Sequence, residues 1–262
     1  MAEQPIQFND GAAYERMMGR WSRLAGDVFL DWLAVESGLR WVDVGCGNGA
    51  FTEAVIERCA PSAIEGVDPS QGQLEFARTR DGVSLARFHQ GDAMSLPQED
   101  NSFDVAAMAL VLFFVPDPVK GLAEMRRVVT PGGVVSAYAW DILGGGFPLH
   151  AFQEELRAMG LTPPLPPSVE ASRLKAMEEL WVSAGLVDVE VREITVERTF
   201  TDFDDLWGTS LLGPSVGPMI ASMGHSDANG LKQRLEAQFP VQNDGRITYS
   251  ARANAVKGRV RA

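Results

Sequence analysis

Apolar runs and amphipathic stretches alternate along the first half of this chain, and they predict strands and helices in turn. Short runs rich in β-branched residues, bounded by Gly, Pro or acidic residues, are typical of buried strands. Such runs lie at residues 41–44, 63–67, 83–89, 102–111 and 134–140. Apolar positions at helical spacing predict helices at 48–59, 71–79 and 119–129. This regular succession of strand and helix indicates an α/β fold with a parallel sheet.

The two ends of the chain carry longer and less regular patterns. Residues 12–35 have apolar positions at roughly helical spacing and predict one or two amphipathic helices, interrupted at Gly19 and Gly26. Further predicted helices lie at 149–159, 171–184, 203–212 and 218–239, and predicted strands at 187–199 and 246–256. The triple glycine 144–146 predicts a flexible hinge. We expect one domain overall, with N-terminal helices (1–37), a core (38–141) and a C-terminal part (142–262).

Three glycines at alternate positions follow the first predicted strand. Gly45, Gly47 and Gly49 come directly after Val44, and a helical pattern begins at Phe51. Glycines at such a turn admit positive φ angles and let a ligand approach the backbone closely. The free N–H groups of the first helical turn favour a small polar ligand. We therefore expect a ligand at this turn.

Two acidic residues at strand ends indicate what kind of ligand it is. The dinucleotide fingerprint is G-x-G-x-x-G, whereas this turn reads G-x-G-x-G with Asp43 two residues ahead of it. A carboxylate there is unsuited to a phosphate and suits a cationic amino group. Asp68 ends the second predicted strand about twenty residues further on, where it is placed to accept hydrogen bonds from ribose hydroxyls. Asp68 thus indicates a nucleoside without choosing between families, and Ser70 is placed to cap the next helix.

Four motifs in order over residues 41–140 resemble those of the class I S-adenosylmethionine-dependent methyltransferases. They are the glycine turn with Asp43, the acidic end of the second strand, Gly91-Asp92-Ala93, and the segment from Phe103-Asp104-Val105 to Pro131-Gly132-Gly133. The resemblance is closest to the small-molecule branch that includes the ubiquinone/menaquinone-biosynthesis enzymes, and it extends weakly over residues 14–23. It implies a Rossmann-like, doubly wound, mostly parallel seven-stranded sheet with an antiparallel last strand. It also implies N-terminal lid helices and a helical insertion near strands five to seven.

The resemblance further implies S-adenosyl-L-methionine as the cofactor and a set of residues that bind it. Asp92 would accept from the adenine amino group, and the end of the fourth strand would border the methionine end of the cofactor. The expected cofactor-binding residues are Tyr14, Arg20, Asp43, Gly45, Cys46, Gly47, Gly49, Asp68, Pro69, Ser70, Asp92, Ala93, Met94, Met108 and Ala109. Phe113 stands where relatives often carry a polar residue. That departure disfavours a general base on this loop and indicates an apolar pocket wall.

The expected chemistry is methyl transfer to O, N or C of a small, partly apolar molecule. The leaving group of such a displacement needs no proton, so alignment of the reactants supplies much of the rate. A base is needed only when the acceptor is a protonated hydroxyl, amine or carbon acid. His150, after the triple glycine, and His225, in the predicted insertion, are the candidates for touching the substrate.

Charge and cysteine content exclude some other classes. The net charge of −12 disfavours nucleic acid as the main substrate, since phosphate binding needs clustered Lys and Arg. The longest apolar run, 105–115, is too short to span a bilayer, and residues 1–10 lack the features of a signal peptide. Cys46 and Cys59 lack the partners of a zinc site. We expect a cytoplasmic protein with reduced thiols and no metal, acting as a monomer or homodimer.

Two alternatives use the same features. An S-adenosylmethionine-binding protein without catalytic activity would keep the same glycines and acids, so the sequence leaves it open. An NAD-dependent oxidoreductase would share the strand-turn-helix and Asp68. The glycine spacing and the motifs at 92 and 131–133 disfavour it.

Overall fold

The computed structural model describes residues 15–262, and in this part of the chain seven strands form a single sheet. The strands are Arg40–Val44 (β1), Ala63–Asp68 (β2), Ala86–Gln90 (β3), Phe103–Ala109 (β4), Val129–Trp140 (β5), Val187–Phe200 (β6) and Ile247–Arg259 (β7). Their order across the sheet is β3-β2-β1-β4-β5-β7-β6. Strands β1 to β5 pair in parallel. Strand β7 runs antiparallel to both of its neighbours, so the predicted Rossmann-like sheet is confirmed.

Helices connect the strands and cover both faces of the sheet. The α-helices of the described chain are Arg20–Leu33 (α1), Ala50–Cys59 (α2), Gln71–Ala77 (α3), Pro118–Val128 (α4), His150–Ala158 (α5), Leu174–Ser183 (α6), Phe203–Ser210 (α7), Gly217–Ala221 (α8) and His225–Gln238 (α9). A π-helical turn, Glu15–Gly19, precedes α1. Helices α5 and α6 lie between β5 and β6, and α7 to α9 lie between β6 and β7. The helical insertion therefore occupies the predicted part of the chain, although the predicted helix 218–239 is two helices.

The N-terminal helix packs closely on the sheet through an aromatic cluster. Helix α1 buries Trp21, Ala25 and Phe29 on one face, at the spacing of successive helical turns. The ring of Phe29 lies 4.7 Å from that of Tyr138 on β5. Gly26 does not interrupt the helix, contrary to the sequence prediction. A Cβ at Gly26 would lie 3.2 Å from the Tyr138 hydroxyl oxygen, so this glycine lets the helix approach the strand.

The triple glycine forms a hydrogen-bonded turn in this structure, and its expected role as a flexible hinge stays a prediction. Asp141 accepts a hydrogen bond from the backbone N–H of Gly144 and pairs with the Arg252 guanidinium on β7. The backbones of Gly146 and Arg252 are also hydrogen-bonded. A Cβ at Gly144 would lie 2.1 Å from an Asp141 carboxylate oxygen. Glycine is needed here because the chain folds tightly onto a partly buried ion pair.

Candidate functional site

A cleft of about 990 Å³ opens at the carboxyl ends of the parallel strands. It lies beside β1 and β4, where the strand order reverses and open α/β sheets characteristically bind ligands. Segments from several strand ends form its wall. They are 45–48, 67–73, 92–94, 109–111, 114–116 and 164–167. The cleft is therefore built at the place where the four sequence motifs converge.

The glycine turn forms one wall of this cleft. Gly45 has a φ of 79°, and its N–H donates to the carbonyl of Val67 at 2.7 Å. A Cβ at Gly45 would lie 2.5 Å from the side chain of Val111. Gly47 has a φ of 51°, and among residues 15–262 no atom beyond Gly47 and its two chain neighbours lies within 4 Å of the place where its Cβ would be. Gly45 is thus required by packing, whereas Gly47 leaves space for a ligand against the backbone.

Asp68 ties the glycine turn to the end of β2. Its carboxylate accepts hydrogen bonds from the backbone N–H of Gly47 at 2.9 Å and of Ser70 at 2.8 Å. Burial raises the pKa of Asp68, and these two donors oppose the rise. The Ser70 hydroxyl accepts from the backbone N–H of Gln73, as predicted for a helix cap. Asp68, Pro69 and Ser70 all line the cleft, so the acid is both a support of the turn and a part of the wall.

Asp43 lies behind the turn and outside the cleft lining. One of its carboxylate oxygens accepts from the Thr52 hydroxyl at 2.6 Å, and the other has no hydrogen-bond partner in the described chain. Burial raises the pKa of Asp43 to about 7, and the charge of Asp68 adds to this rise. Burial likewise raises the pKa of the Cys46 thiol well above its usual range. The structure thus uses Asp43 to brace the turn, and its contact with a cationic amino group stays a prediction.

The third strand end presents Asp92 next to the end of β2, since Gln90 on β3 is the strand partner of Asp68. Asp92 is exposed, and its carboxylate accepts from the backbone N–H of Met94 at 2.8 Å. Ala93 and Met94 are half-buried beside it. All three residues line the cleft, together with Ala109 at the end of β4. The predicted adenine side of the site is therefore brought together with the predicted ribose side.

A second and smaller pocket continues from the cleft. It has a volume of about 50 Å³, and Leu110, Phe114, Pro164 and Pro166 border both spaces. Its other lining residues are mostly apolar or aromatic. They are Met17, Met18, Phe113, Trp140, Ile142, Phe147, Leu149, Gln153, Pro214 and Ser215. Phe113 is an apolar wall here, as its departure from the family pattern indicated.

Several predicted site residues lie away from the cleft wall. Gly49 starts α2 with a φ of 79°, and a Cβ there would lie 3.0 Å from Ala77, so its role is helix packing. Met108 is fully buried in β4. Arg20 is exposed on α1, and Tyr14 lies outside the described residues. The roles assigned to these residues in binding stay predictions.

The two candidate histidines also lie outside the lining of either pocket. His150 begins α5, and its ring packs against the glycine turn, since a Cβ at Gly145 would lie 3.2 Å from its Nε2. His225 begins α9 on the surface. Both would need to move to reach a substrate in the cleft. Within residues 15–262, no cluster of His, Cys, Asp and Glu is arranged to hold a metal ion.

An unpredicted polar network ties the N-terminal turn to the glycine turn. The Asn48 amide donates to the Glu15 carboxylate at 2.8 Å. The Arg80 guanidinium pairs with Glu15, pairs with Glu53 at 2.9 Å, and donates to the carbonyl of Asn48. Sequence reasoning placed a lid at residues 12–35 and missed this network, because its members are up to 65 residues apart.

The comparisons with known proteins agree with this architecture. Residues 42–137 match the family described as methyltransferase domain. The chain is 38% identical over 125 residues to an uncharacterized 37.1 kDa protein in transposon Tn4556 of Streptomyces fradiae, covering 46% of this chain and 36% of that one. It is 38% identical over 105 residues to demethylmenaquinone methyltransferase of Staphylococcus aureus, covering 39% and 44%. The chain therefore spans less than half the length of these curated relatives.

A solved structure extends the likeness over nearly the whole chain. Phosphoethanolamine N-methyltransferase 2 of Haemonchus contortus, in complex with S-adenosyl-L-methionine, superposes with a TM-score of 0.58 at 19% identity. The match covers 96% of this chain and 56% of that one. At this identity the likeness shows the fold. Residues 42–137, which contain the motifs of the sequence analysis, match a methyltransferase domain.

None of the helices in the described part of the chain is both long and apolar enough to cross a bilayer.

Proposed function

We propose that this protein transfers a methyl group from S-adenosyl-L-methionine to O, N or C of a small, partly apolar molecule. One observation carries the proposal: the 990 Å³ cleft, with the glycine turn, Asp68 and Asp92 in its wall, continues into an apolar pocket. Its volume is at the upper end of the range of about 300–1,000 Å³ that is usual for small-molecule sites. A methyl-transfer site needs both the cleft and the apolar pocket, because the cofactor and the acceptor must bind side by side.

The residues in the cleft wall fit this cofactor. Gly47 leaves open space where a side chain would stand, and its neighbours Cys46 and Asn48 line the same cleft. Asp68 would accept from the ribose hydroxyls and Asp92 from the adenine amino group, with Ala93 and Met94 against the ring. When bound, the cofactor supplies a methyl group on a positively charged sulfur. Carboxylates rather than basic side chains in the wall suit a cation better than a pyrophosphate.

The protein contributes to the reaction by positioning the acceptor against the methyl group and by excluding water from the site. The apolar residues Phe114, Pro164 and Pro166 stand at the junction of the two spaces, where acceptor and methyl group would meet. Holding the two reactants in line can lower the activation barrier by roughly 7–11 kcal/mol. Within the described lining of both pockets the ionisable groups are Asp68, Asp92, Cys46 and Tyr138. We infer that acceptors needing little or no proton removal react best.

The relatives support a small acceptor without identifying it. The name of the Staphylococcus aureus relative assigns it a quinone-type substrate, and the Haemonchus contortus enzyme is named for phosphoethanolamine. The apolar pocket of this chain favours an acceptor of the first kind. The alternative is a protein that binds the cofactor without turnover.

A transfer assay distinguishes these possibilities. Purified protein is incubated with S-adenosylmethionine labelled in the methyl group and with a panel of small phenols, amines and ketones, and label is counted in the organic extract. Acceptor-dependent labelling that falls sharply in Asp68→Ala, with folding checked by thermal unfolding, would support the proposal. Tight cofactor binding with no labelled acceptor across the panel would favour the non-catalytic alternative.

A further inference from the structure

The smaller pocket contains a buried carboxamide, that of Gln153. Gln153 lies one turn into α5, where its backbone N–H donates to the carbonyl of Leu149 at 3.0 Å. The residue is only 3% exposed and lines the pocket on the same helix face as Leu149. A glutamine on an amphipathic helix usually faces solvent. This one is turned towards the interior.

The carboxamide of Gln153 faces the pocket space and makes no hydrogen bond with residues 15–262. Ser215, at 6% exposed, also lines the pocket, and its hydroxyl makes no hydrogen bond within the same range. Burying such groups unpaired is unfavourable, and buried polar groups are nearly always satisfied. The Nε1 of Trp140 in the same lining is also buried without a partner in the described chain. Three unpaired polar groups in one largely apolar pocket point to a ligand that pairs with them.

The lining also restricts the charge and the size of that ligand. Among the described residues that line the smaller pocket, none carries a charge. A charged group would lose its hydration there without an ion partner. About 50 Å³ of space corresponds to roughly three to five water-sized groups at about 10–15 Å³ each. The pocket therefore has room for a small neutral substituent, while the larger body of the molecule lies in the cleft.

We infer that Gln153, assisted by Ser215, determines the acceptor by hydrogen-bonding a carbonyl or hydroxyl oxygen on a short neutral substituent. This inference rests on the proposed function, because it places the methyl acceptor in the space joined to the cofactor cleft. The amide N–H of Gln153 and the hydroxyl of Ser215 donate to the oxygen. The surrounding Met17, Phe113 and Trp140 side chains contact the apolar part of the substituent. Molecules that lack the oxygen leave both polar groups unpaired and bind more weakly.

The test compares two probes of the same shape that differ in this oxygen. Acetophenone carries a ketone, and α-methylstyrene replaces its oxygen by a methylene group. Their binding to wild-type protein, Gln153→Met and the exposed-site control Gln233→Met is titrated by ligand-observed NMR, with and without S-adenosylhomocysteine. Methionine keeps the length and approximate volume of glutamine and removes its hydrogen-bonding groups.

We expect the wild type to prefer acetophenone by about 2- to 12-fold, the range of one neutral hydrogen bond. Gln153→Met should abolish or reverse this preference, and Gln233→Met should keep it. Equal binding of the probes by the wild type, no binding of either, or a preference that survives in Gln153→Met would overturn the inference. Calorimetry with S-adenosylhomocysteine on the same three proteins is the separate test of the proposed function. If S-adenosylhomocysteine does not bind while the wild type still prefers acetophenone, the assignment of the cofactor is refuted. The assignment of the smaller pocket is then unaffected.

Discussion

Asp43 makes the stability of this protein depend on pH in an unusual direction. The carboxyl group is fully buried, and its pKa rises to about 7 from an ordinary value near 3.9. The folded state therefore holds this proton more tightly than the unfolded state does. The stabilisation that results is fully present below the pKa that Asp43 has in the unfolded state. It is lost as pH rises through about 7, the pKa of Asp43 in the folded state. The substitution that tests this is Asp43→Asn, which cannot ionise and still accepts from Thr52.

The size of the effect follows from the separation of the two pKa values. A difference of about three units at about 1.4 kcal/mol per unit amounts to about 4 kcal/mol between pH 4 and pH 7. The free energy of unfolding of the wild type, measured against that of Asp43→Asn, should fall by this amount as pH rises through that interval. Above about pH 7 the difference should level off, because Asp43 is then ionised in both states.

Urea unfolding of the cofactor-free proteins at half-unit steps from pH 5 to pH 8.5 measures the larger part of this difference, about 3 kcal/mol. Asp104→Asn is the matched control, since Asp104 is paired with Arg40 at 2.8 Å and its pKa is lowered. Asp104 stays ionised over this range in both states, so its difference from the wild type should not vary with pH. A pH-independent difference for Asp43→Asn as well would refute the reasoning.

Three further substitutions test the turn, the N-terminal network and the pocket. Gly45→Ala should destabilise the protein by about 2–5 kcal/mol in chemical unfolding, because a positive φ and a clash with Val111 add together; a loss below about 1 kcal/mol would contradict this account. Glu15→Ala should change the melting temperature little, because the Glu15 side chain is 41% exposed and Arg80 keeps its pair with Glu53, yet weaken S-adenosylhomocysteine binding about fivefold, close to 1 kcal/mol. Unchanged affinity in calorimetry would refute the coupling between the N-terminal turn and the glycine turn. Gln153→Met should raise the melting temperature by roughly 2–6 °C, since it removes an unpaired buried carboxamide, and a lower melting temperature would show that Gln153 has a structural partner.

Local patterns in the sequence predicted the part of the site that is built from neighbouring residues. The glycine turn, Asp68 and the Ser70 cap each depend on a strand end and the helix that follows it, so spacing alone places them. The first five strands and their connecting helices were predicted for the same reason. The strand-end rule placed Asp68, whereas Asp92 was assigned from the family resemblance.

Features that depend on distant contacts were not predictable in this way. The start of β5 at Val129 was missed because Pro131-Gly132-Gly133 is typical of a turn, whereas pairing with β4 and with the chain near Val260 extends the strand. Gln153 carries no signal of burial in its own helix, since its environment is formed by residues from 17 to 215. The burial of such residues can be recognised only in the folded structure, where the distant chain segments that surround them come together.

The most direct test of the account is calorimetric titration of the purified wild-type protein with S-adenosylmethionine, S-adenosylhomocysteine and NAD. We predict micromolar binding of the first two at one site, a marked loss of that binding in Asp68→Ala, and none of NAD. Binding of NAD, or binding of neither adenosyl compound by folded protein, would contradict the assignment of the cleft.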